Sequence, residues 1–159
     1  MTAAFFRGKR RRAAAAVGAV SFGLIVLSAC DKPTPMATVT VGTSTVTSEA
    51  ACFEDGDGMK PAEVAKCLEG DSKTIKADMD DKIRFGVEPE IADKGWSLFV
   101  NGRPVPEEPN TKTYRTIPAS AFFSGGQGAP AADKTKISIV EVSSGKALGV
   151  WNFDVERKS

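Results

Sequence analysis

The sequence predicts a mainly β domain: two layers of short strands in Greek-key order, with one short helix stapled on by a disulfide. Three observations carry this. Apolar and polar residues alternate over several short runs, the signature of strands buried on one face. Turn signals at Gly42, Asn101-Gly102 and Ser144-Gly145 separate these runs. Only the stretch from Pro61 to Leu68 has helical spacing. Roughly seven to nine short strands, with turns every 8 to 12 residues or so, suit an immunoglobulin-like or cupredoxin-like sandwich with the helix as a crossover insertion.

The elements follow in order. Val39 and Val41 alternate with threonines, Gly42 turns the chain, and Thr45-Val46-Thr47 resumes the pattern. In the helical stretch, Pro61 suits the first helical position, and Val64, Cys67 and Leu68 share one face. Ile83, Phe85 and Val87 alternate with Lys82, Arg84 and Glu88, as in a half-buried strand. Trp96 to Val100 is apolar on both faces and runs into Asn101-Gly102, the strongest short hairpin signal. Arg103-Pro104-Val105 begins the return, with Pro104 and Pro106 pushing it to a sheet edge. Thr113 to Ile117 is a further strand. Lys136 to Val142 and Leu148 to Val155 form a C-terminal hairpin through residues 143–146, with Trp151, Phe153 and Val155 on one face. Residues 124–132 are rich in glycine and alanine and read as a mobile loop.

The first residues belong to something else. Arg7, Lys9, Arg10, Arg11 and Arg12 precede an apolar run from Ala13 to Ala29. That run is marginal against the roughly 20 apolar residues a spanning helix needs. A basic block, a short apolar run and small residues before a boundary describe a secretory signal peptide. The boundary Leu27-Ser28-Ala29-Cys30 resembles the lipobox of bacterial lipoproteins. The resemblance implies cleavage before Cys30, so residues 1–29 are removed, and attachment of diacylglycerol with its palmitate-type chains to the Cys30 thiol. Two or more acyl chains anchor stably, at about 0.8 kcal/mol per buried CH2. Residues 30–37 then form a lipidated tether, stiffened by Pro33 and Pro35, and residues 38–157 the single domain. The address is extracytoplasmic, on the outer face of the plasma membrane. Lys9-Arg10-Arg11-Arg12-Ala13 is a poor match to a twin-arginine signal, which leaves the export route open.

Processing changes the charge. The whole chain carries 21 basic and 20 acidic residues. Five of the basic residues and none of the acidic ones lie before Cys30, leaving 16 against 20 and a net charge of −4. Such a domain has no electrostatic footprint for nucleic acid or anionic lipid. With Cys30 acylated, Cys52 and Cys67 remain as an even pair in an oxidising compartment and are expected to bond. The bond closes a loop of about 15 residues, worth roughly 3 kcal/mol on the chain-entropy account. A redox-active pair wants Cys-x-x-Cys or a cationic activator, and neither is evident.

The chain has no histidine, which removes Ser-His-Asp and Cys-His catalysis, blue-copper centres and histidine-bearing zinc sites. No cofactor or metal is expected. Glu54-Asp55-Gly56-Asp57-Gly58 fails as an EF-hand loop, because Met59 and Lys60 stand where a fifth-position ligand and a sixth-position glycine belong. Glu88, Glu90 and Asp93 beside Trp96 suggest the carboxylates and sugar platform of a glycosidase, although all three acids fall in one turn. Phe122-Phe123 either caps the open end of the sandwich or offers an apolar contact to a partner. Residues 88–95 and 118–132 are the expected binding loops.

Ala29 to Pro35, Arg84 to Trp96 (RFGVEPEIADKGW), Thr113 to Pro118 (TYRTIP) and Gly149 to Phe153 (GVWNF) together resemble an uncharacterised family of secreted lipoproteins from Streptomyces-like actinobacteria, a domain of unknown function. The resemblance spans nearly the whole processed chain. It implies the same localisation and a single β-rich domain, and it transfers no catalytic residue. The expectation is a non-enzymatic, membrane-tethered module that binds an envelope protein or a small ligand. The alternatives are a wall-polysaccharide enzyme using Glu88, Glu90 or Asp93, or an accessory subunit of a membrane complex.

Overall fold

A computed structural model describes residues 33–124 and 132–159. Cys30, the signal segment and most of the glycine-rich stretch lie outside the described residues.

The chain is mainly β, in two sheets of four and six strands. The first sheet contains β1 (Ala37–Val41), β2 (Ser44–Ser48), β5 (Lys82–Val87) and β8 (Tyr114–Pro118), in the order β2-β1-β5-β8 and antiparallel throughout. The second contains β3 (Cys52–Phe53), β4 (Lys73–Ala77), β6 (Trp96–Val100), β7 (Arg103–Pro104), β9 (Lys134–Ser143) and β10 (Lys146–Arg157). Its central strand is β10. One edge of β10 pairs with β9; the other is shared by β3, antiparallel, and β4, parallel. β9 continues to β6 and β7. The Asn101-Gly102 and Ser144-Gly145 hairpins are built as expected, with positive φ at both positions, the twist that matches flanking strands.

The two sheets face each other across one apolar core. Val39, Ile83 and Phe85 from the first meet Leu98, Ile137, Ile139, Trp151 and Phe153 from the second. Gly149 belongs to this packing, since a Cβ there would collide with the indole of Trp151. Trp151 Nε1 donates to the Pro35 carbonyl at 2.8 Å, which ties the incoming tether to the core.

A second cluster covers the opposite face of the six-stranded sheet. Helix α1 (Pro61–Leu68) lies there and buries Cys67 and Leu68 against Val140 and Val150. Glu63 reaches back to accept the Lys60 N–H at 2.8 Å, a half capping box that suits the helix start. The Cys52–Cys67 disulfide joins α1 to β3, with Cα atoms 5.8 Å apart. Asn152 Nδ2 donates to the Cys67 carbonyl at 2.7 Å, and Lys136 Nζ donates to the Gly70 carbonyl at 2.8 Å. Two side chains of the sheet thus hold the chain where the helix ends, the Cys67 carbonyl also accepting the Gly70 N–H at 3.1 Å.

Several expectations are corrected. Residues 88–95 are not a loop: Pro89 to Lys94 form helix α2, because proline starts it and Gly95, at φ 105°, ends it. Ser120–Phe123 is a further helical turn, α3. Strand β4 has no counterpart in the sequence pattern. The hairpin strands extend to Lys134–Ser143 and Lys146–Arg157, beyond their apolar centres.

Candidate functional site

The outer face of the four-stranded sheet is set by register. Cross-strand partners share a face, so two rows run across all four strands: Thr47, Thr38, Gly86, Tyr114, and Thr45, Thr40, Arg84, Thr116. Lys82 opposite Pro118 begins a third row. At about 4.8 Å between strands, each full row is roughly 14 Å long. Thr40 and Thr45 hydroxyls lie 3.0 Å apart and share a hydrogen bond, and Thr38 Oγ1 donates to the Gly86 carbonyl at 3.4 Å. Gly86 leaves room for Thr38, whose Oγ1 would lie 2.6 Å from a Cβ there. Beside this gap stands Tyr114, 60 % exposed. Tyr114 also lines a shallow depression of about 500 Å³ with Glu108, Asn110, Lys112, Arg115 and Thr116. Arg115 is paired with Glu107 and holds its carboxyl below the ordinary value. Lys82, Arg84 and Lys112 are exposed and make no ion pair among the described residues.

Two other concavities flank the disulfide. A groove of about 750 Å³ opens where the tether enters, lined by Met36, Ser48, Ala51, Lys66, Ser72 and Lys73 among others. Ser72 Oγ is buried there without a hydrogen-bonding partner among the described residues. A more apolar groove of about 690 Å³ runs beside α1 over Met59, Val64, Leu68, Phe99 and Ala147.

A buried carboxylate lies inside the domain. Glu141, on β9 opposite Trp96, is fully buried. Lys94 Nζ, at the last turn of α2, approaches its Oε1 to 2.9 Å and stands 5.8 Å from the centre of the Phe53 ring. The second oxygen has no donor among the described residues. The pair clamps α2 to the sheet. Truncating Lys94 would strand the buried carboxylate, the costly outcome for such pairs, whereas Lys94 is partly exposed and is left reachable by water if Glu141 is removed.

The expected site residues are dispersed. Trp96 is buried and its Nε1 donates to the Lys112 carbonyl at 2.8 Å. Phe122 and Phe123 are buried too, Phe122 edge-on to Phe85 with ring centres 5.7 Å apart. These three aromatics pack into the apolar core. Glu88, Glu90 and Asp93 are exposed on the first turns of α2 and its cap, and none lines the grooves described. Glu88 Oε2 accepts the Met36 N–H at 3.0 Å, a bond that fastens α2 to the start of β1. Cys52 and Cys67 are joined, as expected. Among the described residues no cluster of three His, Cys, Asp or Glu is placed to hold a metal ion. Sequence reasoning missed Tyr114, Arg84 and Lys82. The signal lies in the polar half of the strand alternation.

No family model, curated protein or solved structure matches this chain.

Proposed function

We propose that the chain is a lipid-anchored extracytoplasmic binding module, held to the outer face of the plasma membrane through Cys30 and presenting a preformed surface rather than a catalytic centre. One observation carries the reading. Tyr114, an amphipathic ring suited to contact surfaces, stands exposed on a hydrogen-bonded ladder beside Gly86, with hydroxyls and cations in register around it. A contact surface built on strands is held more rigidly than one built on loops. The lipobox at Leu27 to Cys30 supplies the address, and the likeness to actinobacterial secreted lipoproteins is consistent with it. The finer fold reading, an immunoglobulin-like or cupredoxin-like Greek key, belongs to the same proposal. It is supported by the chain crossing between sheets after β2, β4, β5, β7 and β8.

The test is made in intact cells. An alkyne-tagged fatty acid should label the chain, Cys30→Ser should abolish the label, and Tyr114→benzoylphenylalanine should photocrosslink to a component outside the membrane. An unlabelled, full-length chain recovered from the cytosol overturns the address. A labelled chain giving no crosslink from position 114 overturns the binding surface.

A further inference from the structure

The outer face of the four-stranded sheet has a charge unlike that of the domain around it. The chain after residue 29 carries a net charge of −4. Yet none of the positions that the strand register turns outward on this face is acidic. Lys82 and Arg84 project from β5, and Lys112 stands beside Tyr114 at the start of β8. Each is exposed and free of ion pairs among the described residues. Acids border the strip without entering the rows: Glu108 lines the Tyr114 depression, Glu107 is paired with Arg115, and Glu88 follows the end of β5 and accepts the Met36 N–H. An unneutralised positive strip on an acidic body attracts anions locally while the rest of the surface repels them.

The remaining chemistry narrows the anion. The rows of Thr38, Thr40, Thr45, Thr47 and Thr116 offer hydroxyls, each both donor and acceptor. The one exposed aromatic ring on this face stands next to Gly86, where the Thr38 hydroxyl fills the space a side chain would take, so the ring's neighbour in the row is a small polar group. Hydroxyls in rows, a stacking face and cations at the ends of the strip match a chain of sugar rings bearing acidic groups. A lipid surface would ask for apolar side chains around the ring, and threonines stand there instead.

We propose that this face binds an anionic polysaccharide, with Tyr114 stacking on a sugar ring and Lys82, Arg84 and Lys112 pairing with its acidic groups. The inference rests on the extracytoplasmic binding role and names its ligand class. The test uses the purified full chain in detergent, with polygalacturonate and dextran sulfate as acidic probes, neutral dextran as the uncharged control and phosphatidylglycerol vesicles as the lipid alternative. Both acidic polymers should be bound and dextran should not, with affinity falling as salt rises. Tyr114→Ala should weaken binding about tenfold, as loss of one stacked ring implies, and Tyr114→Phe should retain it. Lys82→Glu with Arg84→Glu should abolish binding while the circular dichroism spectrum stays unchanged. Equal binding of dextran, binding to vesicles alone, or indifference to the Tyr114 and Arg84 changes overturns the proposal. So does failure of both acidic polymers while benzoylphenylalanine at position 114 still captures a protein, an outcome that leaves the binding role standing and removes only its ligand.

Discussion

The two sheets solve different problems. In the four-stranded sheet burial alternates: Ala37, Val39 and Val41 are buried, while Thr38 and Thr40 between them face outward. In the six-stranded sheet consecutive residues are buried. Ile139 points to the shared core and Val140 to the helix side, and neither keeps any exposure. The difference is α1. Laid over the outer face and held by the disulfide, it turns a one-sided sheet into a two-sided one. The sequence of such a sheet then reads as a continuous apolar run, as in sheets covered on both faces. The uncovered sheet keeps its polar face for display, and the covered one supplies the rigidity behind it.

Removing the staple should change the comparison most. Cys52→Ala with Cys67→Ala is expected to lower stability by about 2–4 kcal/mol, read from denaturant melts. Amide exchange should rise first around α1 and the outward positions of β9 and β10, where opening becomes local. The amides of β1 and β5 should follow only global unfolding. Equal loosening of both sheets would show that α1 is not what separates them.

Much of this contrast was legible in the sequence. Alternation in Val39 to Val41 and Ile83 to Val87 gave the one-sided strands, and Trp96 to Val100 declared two apolar faces. The disulfide followed from counting cysteines. Other features were not legible, for physical reasons. Strand β4 (KTIKA) has only Ile75 and Ala77 to bury, and its pairing comes from lying beside β10 far along the chain. Glu88, Glu90 and Asp93 looked like a cluster because proximity in sequence suggested proximity in space. A helix starting at Pro89 spreads them over its surface. Glu141 was unremarkable in a strand pattern, since nothing local tells that Lys94 will reach it. Burial of Trp96 and Phe122 likewise depends on partners distant in sequence.

A reciprocal swap sharpens the comparison at a single position in each sheet. Val140→Thr keeps shape but buries a hydroxyl beneath α1, and should cost about 1–3 kcal/mol if no donor or acceptor reaches it. Thr40→Val makes the opposite change on the open face. It removes only the exposed hydroxyl contact with Thr45, and its effect should stay within about 0.5 kcal/mol. Thermal melts of both variants decide the matter. A cost at Thr40 matching that at Val140 would mean the open face is covered in solution.

Titration should separate the sheets by the smallest effect. Glu107 is held below its ordinary 4.5 by hydrogen bonding to Arg115 at the edge of the open sheet. Asp81, in the turn between β4 and β5, is held below 3.8, first by the Asp78 N–H and then by Lys158. A carboxyl whose folded value is depressed contributes stability above its unfolded value and loses it as pH falls through the folded one. Both therefore predict a decline that begins near 4.5 and 3.8 and deepens below. Lysines run the other way. Lys134, paired first with Asp154 and then Glu156, and Lys158, paired with Asp78 and Asp81, are raised above 10.5. Their contribution is complete below 10.5 and disappears as pH climbs through the raised values. Arginine does not titrate in this range, so the Arg115 pair has an acid limb only. All these groups are exposed, and salt should flatten both limbs. Melting temperature across pH, at low and high salt, should show Arg115→Ala softening the acid limb alone. Lys134→Ala with Lys158→Ala should remove most of the alkaline limb. An alkaline limb unchanged in that double variant would mean that other groups set it, and would dissolve the distinction between the two edges.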